Sequence, residues 1–316
     1  MPINKEPISN KNASHVEKKE KQLYKKENDM IEFSLIEPLY EFSDMVIDDK
    51  LKSDIIDAMS IFMFKEKIFD EWKLSRVIKK PTNICINFYG EPGTGKTMAA
   101  NAVAKELGLK ILKVNYADIE SKYVGETSKN LVKMFEKAQE KNALILFDEA
   151  DALLSKRVTN MSNATDVSVN QTRSVLLTLL DGFKGMVIFT TNFISNYDSA
   201  FMRRIPYHIK FDLPNENERI NLLKHYLINT VPNDILVVDI AKRYPGITGA
   251  DIANATLVAA LKTARNYKSI MQQIDFEDAL DSILRSKVEN KGEIIEVESR
   301  EVTEQYALEQ INKRRG

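Results

Sequence analysis

Eight consecutive residues, Gly90-Glu91-Pro92-Gly93-Thr94-Gly95-Lys96-Thr97, fit G-x-x-x-x-G-K-[ST], the loop that wraps nucleotide phosphates. Glycines there let the backbone approach the phosphates, and successive N–H groups point inward as an anion nest. A helix starting at the end of the loop adds the partial positive charge of its N-terminus. Lys96 is expected to reach the outer phosphates and Thr97 to ligate Mg²⁺, with Glu91 through Met98 lining the bound ATP. A glycine-rich turn can match such a pattern by accident, so the flanks matter. Ile84-Cys85-Ile86-Asn87-Phe88-Tyr89 reads as a buried strand, and the run from Met98 to Leu107 reads as a helix.

A second set of polar residues stands at the ends of two further apolar runs. Leu144-Ile145-Leu146-Phe147 ends in Asp148-Glu149. Period 2 sends the two carboxylates in different directions. Asp148 is then expected to hold Mg²⁺, directly or through water, and Glu149 to address a water beside the terminal phosphate. Phosphoryl transfer needs that division between a metal that offsets charge and a group that orients the nucleophile. Val187-Ile188-Phe189-Thr190-Thr191 ends in Asn192, which in a parallel sheet would lie beside the carboxylates and bond the water or the γ-phosphate. Taken alone, either strand end is an ordinary turn or helix cap.

These residues need a scaffold that brings strand ends together. Strands are expected at 84–89, 111–114, 143–147, 187–191 and 207–211, alternating with helices or loops, which predicts an α/β fold with a parallel sheet covered on both faces. Ligands bind at the carboxyl edge of such sheets. Leu51, Ile55, Ile56, Met59 and Phe62-Met63 predict an earlier helix, with Trp72 closing that region by packing. After Pro214 the pattern is helical throughout, with expected helices over 216–227, 234–243, 249–267 and 275–284. The domain expectation is therefore a charged flexible tail over 1–33, a large α/β domain over 34–212, a small all-helical domain over 213–288 and an extension over 289–316.

Composition limits the function classes. The chain has 316 residues, 43% hydrophobic and 29% charged, with a formal net charge of −1. Total charge gives no reason to invoke nucleic acid or an anionic membrane. The single cysteine, Cys85, rules out an intramolecular disulfide and, inside an apolar run, reads as an inert buried thiol suited to a reducing cytoplasm. The three histidines, His15, His208 and His225, are isolated, so the sequence contains no His-Glu-x-x-His zinc motif. No apolar run reaches the ~20 residues that a membrane helix needs.

The ordered set of phosphate loop, Asp148-Glu149, Thr190-Thr191-Asn192 and Asp198-Ser199-Ala200-Phe201-Met202-Arg203-Arg204 resembles the AAA ATPases over roughly residues 40–285. The resemblance implies an α/β domain followed by a helical lid, with ATP and Mg²⁺ between them, and usually a hexameric ring. It implies that Arg203 and Arg204 reach the γ-phosphate of the neighbouring subunit, a role that suits a permanently charged, bidentate guanidinium. His225 resembles the family's lid histidine near the nucleotide, and Gly249-Ala250 resembles the start of the lid helix that approaches the phosphates. Where the family often carries Asp-Ile-Gly-Gly, this chain has Asp44-Met45-Val46-Ile47, so Met45 and Val46 are the expected adenine contacts.

Ser121-Lys122-Tyr123-Val124-Gly125 resembles the family's pore loop, an aromatic residue followed by an aliphatic one and glycine. Copies of Tyr123 and Val124 around a ring would grip an extended polypeptide, since an aromatic face binds main chain without needing a sequence. The polar stretch 157–170 is either a second pore loop or a mobile segment. The expected function is an ATP-driven ring that unfolds or remodels a protein partner. Bacterial pachytene-checkpoint-type remodelers of HORMA proteins are one subgroup compatible with the compact size. A DNA-directed ring such as a clamp or helicase loader would favour basic pore residues, and a nucleotide-gated scaffold would not need Glu149.

Overall fold

The computed structural model describes residues 33–78, 83–115, 126–155, 164–192, 197–227 and 232–290. Tyr123, Val124, residues 157–163 of the 157–170 stretch, the tail before residue 33 and the extension beyond 290 lie outside those residues. The described chain divides into two compact units between Glu218 and Arg219.

The first unit is an α/β layer structure. Its strands are β1 Leu35–Ile36, β2 Ile84–Gly90, β3 Ile111–Asn115, β4 Leu144–Asp148, β5 Met186–Thr191 and β6 Tyr207–Phe211. Between them run α1 Asp49–Glu66, α2 Lys96–Glu106, α3 Glu126–Glu140, α4 Asp151–Leu154, α5 Ala164–Gly182 and α6 Ser199–Met202. All five expected strands are present. The sheet order is β1-β3-β4-β5-β2-β6, with every neighbouring pair parallel except β1 and β3. The antiparallel β1 pairs Leu35 with Leu112 and Ile36 with Ile111. Two residues carry no period, so sequence pattern could not reveal it.

Alternation along the strands separates two apolar layers. Leu112, Val114, Ile145, Phe147, Val187 and Phe189 pack under α3 and α5. Ile84, Ile86, Phe88, Ile111, Leu144, Leu146 and Ile188 pack under α1 and α2. Phe147 and Phe189 stack with centroids 5.1 Å apart across neighbouring strands. With both faces covered, the central strands are buried almost end to end, as their unbroken apolar runs require. Apart from Asn87 in β2, their polar groups lie at the carboxyl ends, and these become the site.

Two details differ from the sequence expectation. The helix α1 exists and buries Ile55 and Met59, but Ile56 and Met63 are exposed. Trp72 does not pack: it is 68% exposed, and Lys67 Nζ lies over its ring at 5.8 Å. The cause is a π-turn at Lys67–Glu71, which shifts the helical phase and buries Phe69 instead.

The second unit is helical: the remainder of α7 Glu216–Leu227, then α8 Val237–Arg243, α9 Gly249–Arg265 and α10 Gln273–Asn290. Leu223, Leu227, Ile240, Ile252, Ala255, Ala259, Phe276 and Leu280 form its core. A capping box between Thr248 and Asp251 opens α9. Lys287 on α10 then reaches the buried Asp251 carboxylate at 2.6 Å, tying the two helices together.

Candidate active site

The phosphate loop follows β2 directly, and its shape depends on glycine. At Gly90 the backbone has φ 142°, and a Cβ there would stand 2.0 Å from the carbonyl oxygen of Phe211 on β6. Gly95, at φ 100°, is the residue before α2 and takes the left-handed conformation from which the helix starts. The loop N–H groups therefore run straight into a helix N-terminus. Lys96 begins α2 and is 8% exposed. Its Nζ donates to the carbonyls of Gly90 at 2.8 Å and Glu91 at 2.9 Å, and to Asn192 Oδ1 at 3.3 Å. Burial lowers its pKa, against the opposing pull of Asp151, Glu91 and Asp148.

Asp148 ends β4 and collects donors from three elements. Thr97 on α2 donates to its Oδ1 at 2.9 Å, and Thr190 on β5 donates to the same oxygen at 2.5 Å. Lys113 on β3 takes the other oxygen, Oδ2, at 2.7 Å. Burial works to raise the Asp148 carboxyl. The bonds from Lys113, Thr190 and Thr97, with the Lys113 charge, outweigh it and hold the group below the ordinary carboxylate range.

Glu149, the next residue, is exposed and has φ 55°. A non-glycine residue in the left-handed region is held there by its surroundings. Here the hold is the Glu149 N–H bond to Thr190 Oγ1, at 3.1 Å. Thr190 thus bonds to both members of the carboxylate pair. Asn192 lies one residue beyond β5, and its N–H donates to Asp151 Oδ1 at 3.0 Å. The structure therefore brings Lys96, Thr97, Asp148, Glu149 and Asn192 to one sheet edge.

The donor set fits a magnesium–nucleotide complex. Thr97 Oγ1 and Asp148 Oδ1 are hard oxygens already 2.9 Å apart beside the loop. Among the described residues, no group of three or more His, Cys, Asp or Glu could cage a metal by itself. That combination suits Mg²⁺, which uses one or two protein oxygens and takes the rest from phosphate and water.

A sequence model of the family described as "ATPase family associated with various cellular activities (AAA)" matches residues 86–213. The chain carries an AAA ATPase domain. An ATP-dependent zinc metalloprotease FtsH of Cyanidium caldarium is 36% identical over 203 residues, covering 62% of this chain and 33% of that protein. FtsH 3 of Symbiobacterium thermophilum, named likewise as an ATP-dependent zinc metalloprotease, is 31% identical over 276 residues, covering 82% and 44%. The ATPase family gene 2 protein of Schizosaccharomyces pombe is 36% identical over 220 residues, covering 63% and 27%. The chain thus spans less than half the length of each of these relatives.

The other residues expected at the site fall as follows. Met45 lies over the phosphate loop: a methyl on Gly95 would stand 3.8 Å from its Cε. Val46, the next residue, is half-buried. Arg203 follows α6 and is exposed, with Nε donating to its own helix at Ser199. Arg204 is differently placed. It forms a fork with Asp181, Nε to Oδ1 at 2.8 Å and a terminal nitrogen to Oδ2 at 2.7 Å. Those bonds raise its pKa further. His225 is an exposed residue of α7, edge-on to Tyr226. Gly249 and Ala250 make the first turn of α9.

Five polar residues act here without being singled out by the sequence. Lys113 on β3 supports Asp148, and Asp151 at the start of α4 supports Asn192. On the opposite sheet face, fully buried Asn87 donates to the Tyr197 hydroxyl at 3.2 Å and accepts from Thr191 at 3.2 Å. The Tyr197 hydroxyl bonds Thr191, and burial pushes its pKa up to about 12. His208 stands opposite Asn87 in the β2–β6 register, its Nδ1 3.5 Å from the amide nitrogen. Polar residues at 87 and 208, within otherwise apolar strands, were the available signal.

Proposed function

We propose that this AAA domain binds ATP with Mg²⁺, hydrolyses it, and uses the cycle to remodel or unfold a protein partner within a homo-oligomeric, hexameric ring. The observation that carries the reading is the convergence of the phosphate loop, Asp148, Glu149 and Asn192 at one parallel-sheet edge. Lys96 would hold the outer phosphates by exchanging its carbonyl partners for phosphate oxygens. Thr97 and Asp148 would hold the metal, which when bound offsets charge on the phosphate oxygens. Glu149, outside the hydroxyl cluster and exposed, would orient the attacking water, with Asn192 fixing it from the next strand.

Arg203 supplies the trans contact in this reading, because it can extend from the surface without breaking an ion pair. Arg204 would serve its own subunit through Asp181. His225, Gly249 and Ala250 are further proposed nucleotide contacts, as are Met45 and Val46 beside adenine. Tyr123 and Val124 would grip the threaded chain. Two relatives are named ATP-dependent zinc metalloproteases, which supports a protein as the partner on which the ATP cycle acts. Among the described residues no helix is long and apolar enough to cross a membrane. The lone thiol, Cys85, is buried, and burial with the nearby Asp181 charge pushes it up to about 12. An unreactive thiol of this kind suits the cytoplasm. A HORMA-protein partner is the finer form of this reading, with which α5 is compatible.

The test is a substrate trap. A Glu149→Gln ring loaded with ATP should retain a protein partner that wild type releases on hydrolysis, identified by mass spectrometry. Retention of DNA in place of protein would overturn the remodelling reading.

A further inference from the structure

The Asp148 carboxylate is shared unequally. Both hydroxyl donors, Thr97 and Thr190, go to Oδ1. Oδ2 is held by Lys113 Nζ at 2.7 Å. The lysine reaches it because β3 and β4 run parallel with Asn115 opposite Asp148 and Lys113 opposite Leu146. Period 2 puts Lys113 on the α2 face of the sheet, the same face as Asp148, two positions below it. A four-carbon stem spans that offset.

This arrangement places a resident cation on the carboxylate proposed to hold Mg²⁺. The Lys113 side chain is 40% exposed, against 13% for Asp148. A partly exposed ion pair of this sort adds little to stability. The lysine can also swing into water at small cost, since its stem is flexible and its ammonium well hydrated. An arginine fork at the same place would be harder to release. We propose that Lys113 is a positioning residue that holds Asp148 Oδ2 between nucleotides and competes, through the shared carboxylate charge, with a metal at Oδ1, so that it sets the Mg²⁺ concentration the site requires. The inference rests on the Mg·ATP reading of the site.

Two consequences separate this role from a packing role. Removing the charge should make the metal easier to bind, because one competitor for the Asp148 charge and one repelling cation disappear together. It should also weaken metal-free nucleotide binding, because the Asp148 charge beside the phosphate loop would no longer be offset. A lysine that served only to stabilise the fold would alter neither balance.

The experiment measures binding of a fluorescent ADP analogue to the full chain across a free Mg²⁺ series buffered with EDTA. In Lys113→Met and Lys113→Gln the Mg²⁺ midpoint should fall about fivefold, the weight of a partly exposed ion pair. Lys113→Arg, which keeps the charge, should not lower it. Either neutral variant suffices if the other folds poorly, with circular dichroism as the check. Neutral variants that bind the analogue at saturating Mg²⁺ with a midpoint within twofold of wild type would overturn the role of Lys113. Failure of wild type to bind the analogue at any Mg²⁺ concentration would overturn the nucleotide reading itself, and this inference with it.

Discussion

Thr190→Val removes one hydroxyl and almost no volume, so its effect reports hydrogen bonding with little contribution from a cavity. Two bonds disappear. The first is the donation to Asp148 Oδ1, a bond to a charged acceptor in a largely buried position. Such bonds contribute about 1.5–3 kcal/mol. The second is acceptance from the Glu149 N–H, a partly buried donor that would lose its partner, at about 1 kcal/mol. Together they give about 2.5–4 kcal/mol lost from the first unit. The same change releases Glu149 from its left-handed φ of 55°. A misplacement of the water-orienting carboxylate worth about 1.4 kcal/mol in the transition state already slows hydrolysis tenfold. Urea unfolding of the nucleotide-free chain and steady-state ATPase measure the two effects, and Thr190→Ser, which keeps the hydroxyl, should restore most of both. A Thr190→Val protein with stability within about 0.5 kcal/mol of wild type and full ATPase would refute the assignment of Thr190 as the bridge between the two carboxylates.

Gly90→Ala should fail more broadly, because its methyl meets the Phe211 carbonyl at 2.0 Å on a backbone at φ 142°. Loss of more than about 3 kcal/mol, or insoluble protein, is expected, and a native-like unfolding midpoint would contradict the close β2–β6 approach. Arg203→Ala should leave stability unchanged and lower kcat on the order of a thousandfold. Arg204→Ala should instead destabilise by up to about 1 kcal/mol through loss of the partly exposed Asp181 pair. Equal ATPase losses in the two variants would remove the distinction drawn between them.

The parts of the site legible in sequence are those whose geometry is local. The phosphate loop is eight contiguous residues, and Asp148-Glu149 and Asn192 each end a strand made visible by an unbroken apolar run. Strand order was needed to join them, and parallel pairing of β4 with β5 supplies it. The residues that escaped act across sequence distance. Lys113 looks like a solvated strand lysine until β3 pairs with β4, and Asp151 looks like a helix-start acid until the Asn192 N–H meets it. Asn87 and His208 are informative only once β2 and β6 are neighbours. Trp72 misled for a different reason: large aromatic residues usually pack, and a π-turn that shifts helical phase leaves no mark in the period.

The most direct measurement follows the fate of ATP on Glu149→Gln. Protein mixed with radiolabelled ATP and Mg²⁺, passed through a desalting column and denatured, should yield label as ATP long after wild type has converted it to ADP. Label recovered as ADP at the wild-type rate would contradict the claim that Glu149 orients the attacking water at this sheet edge.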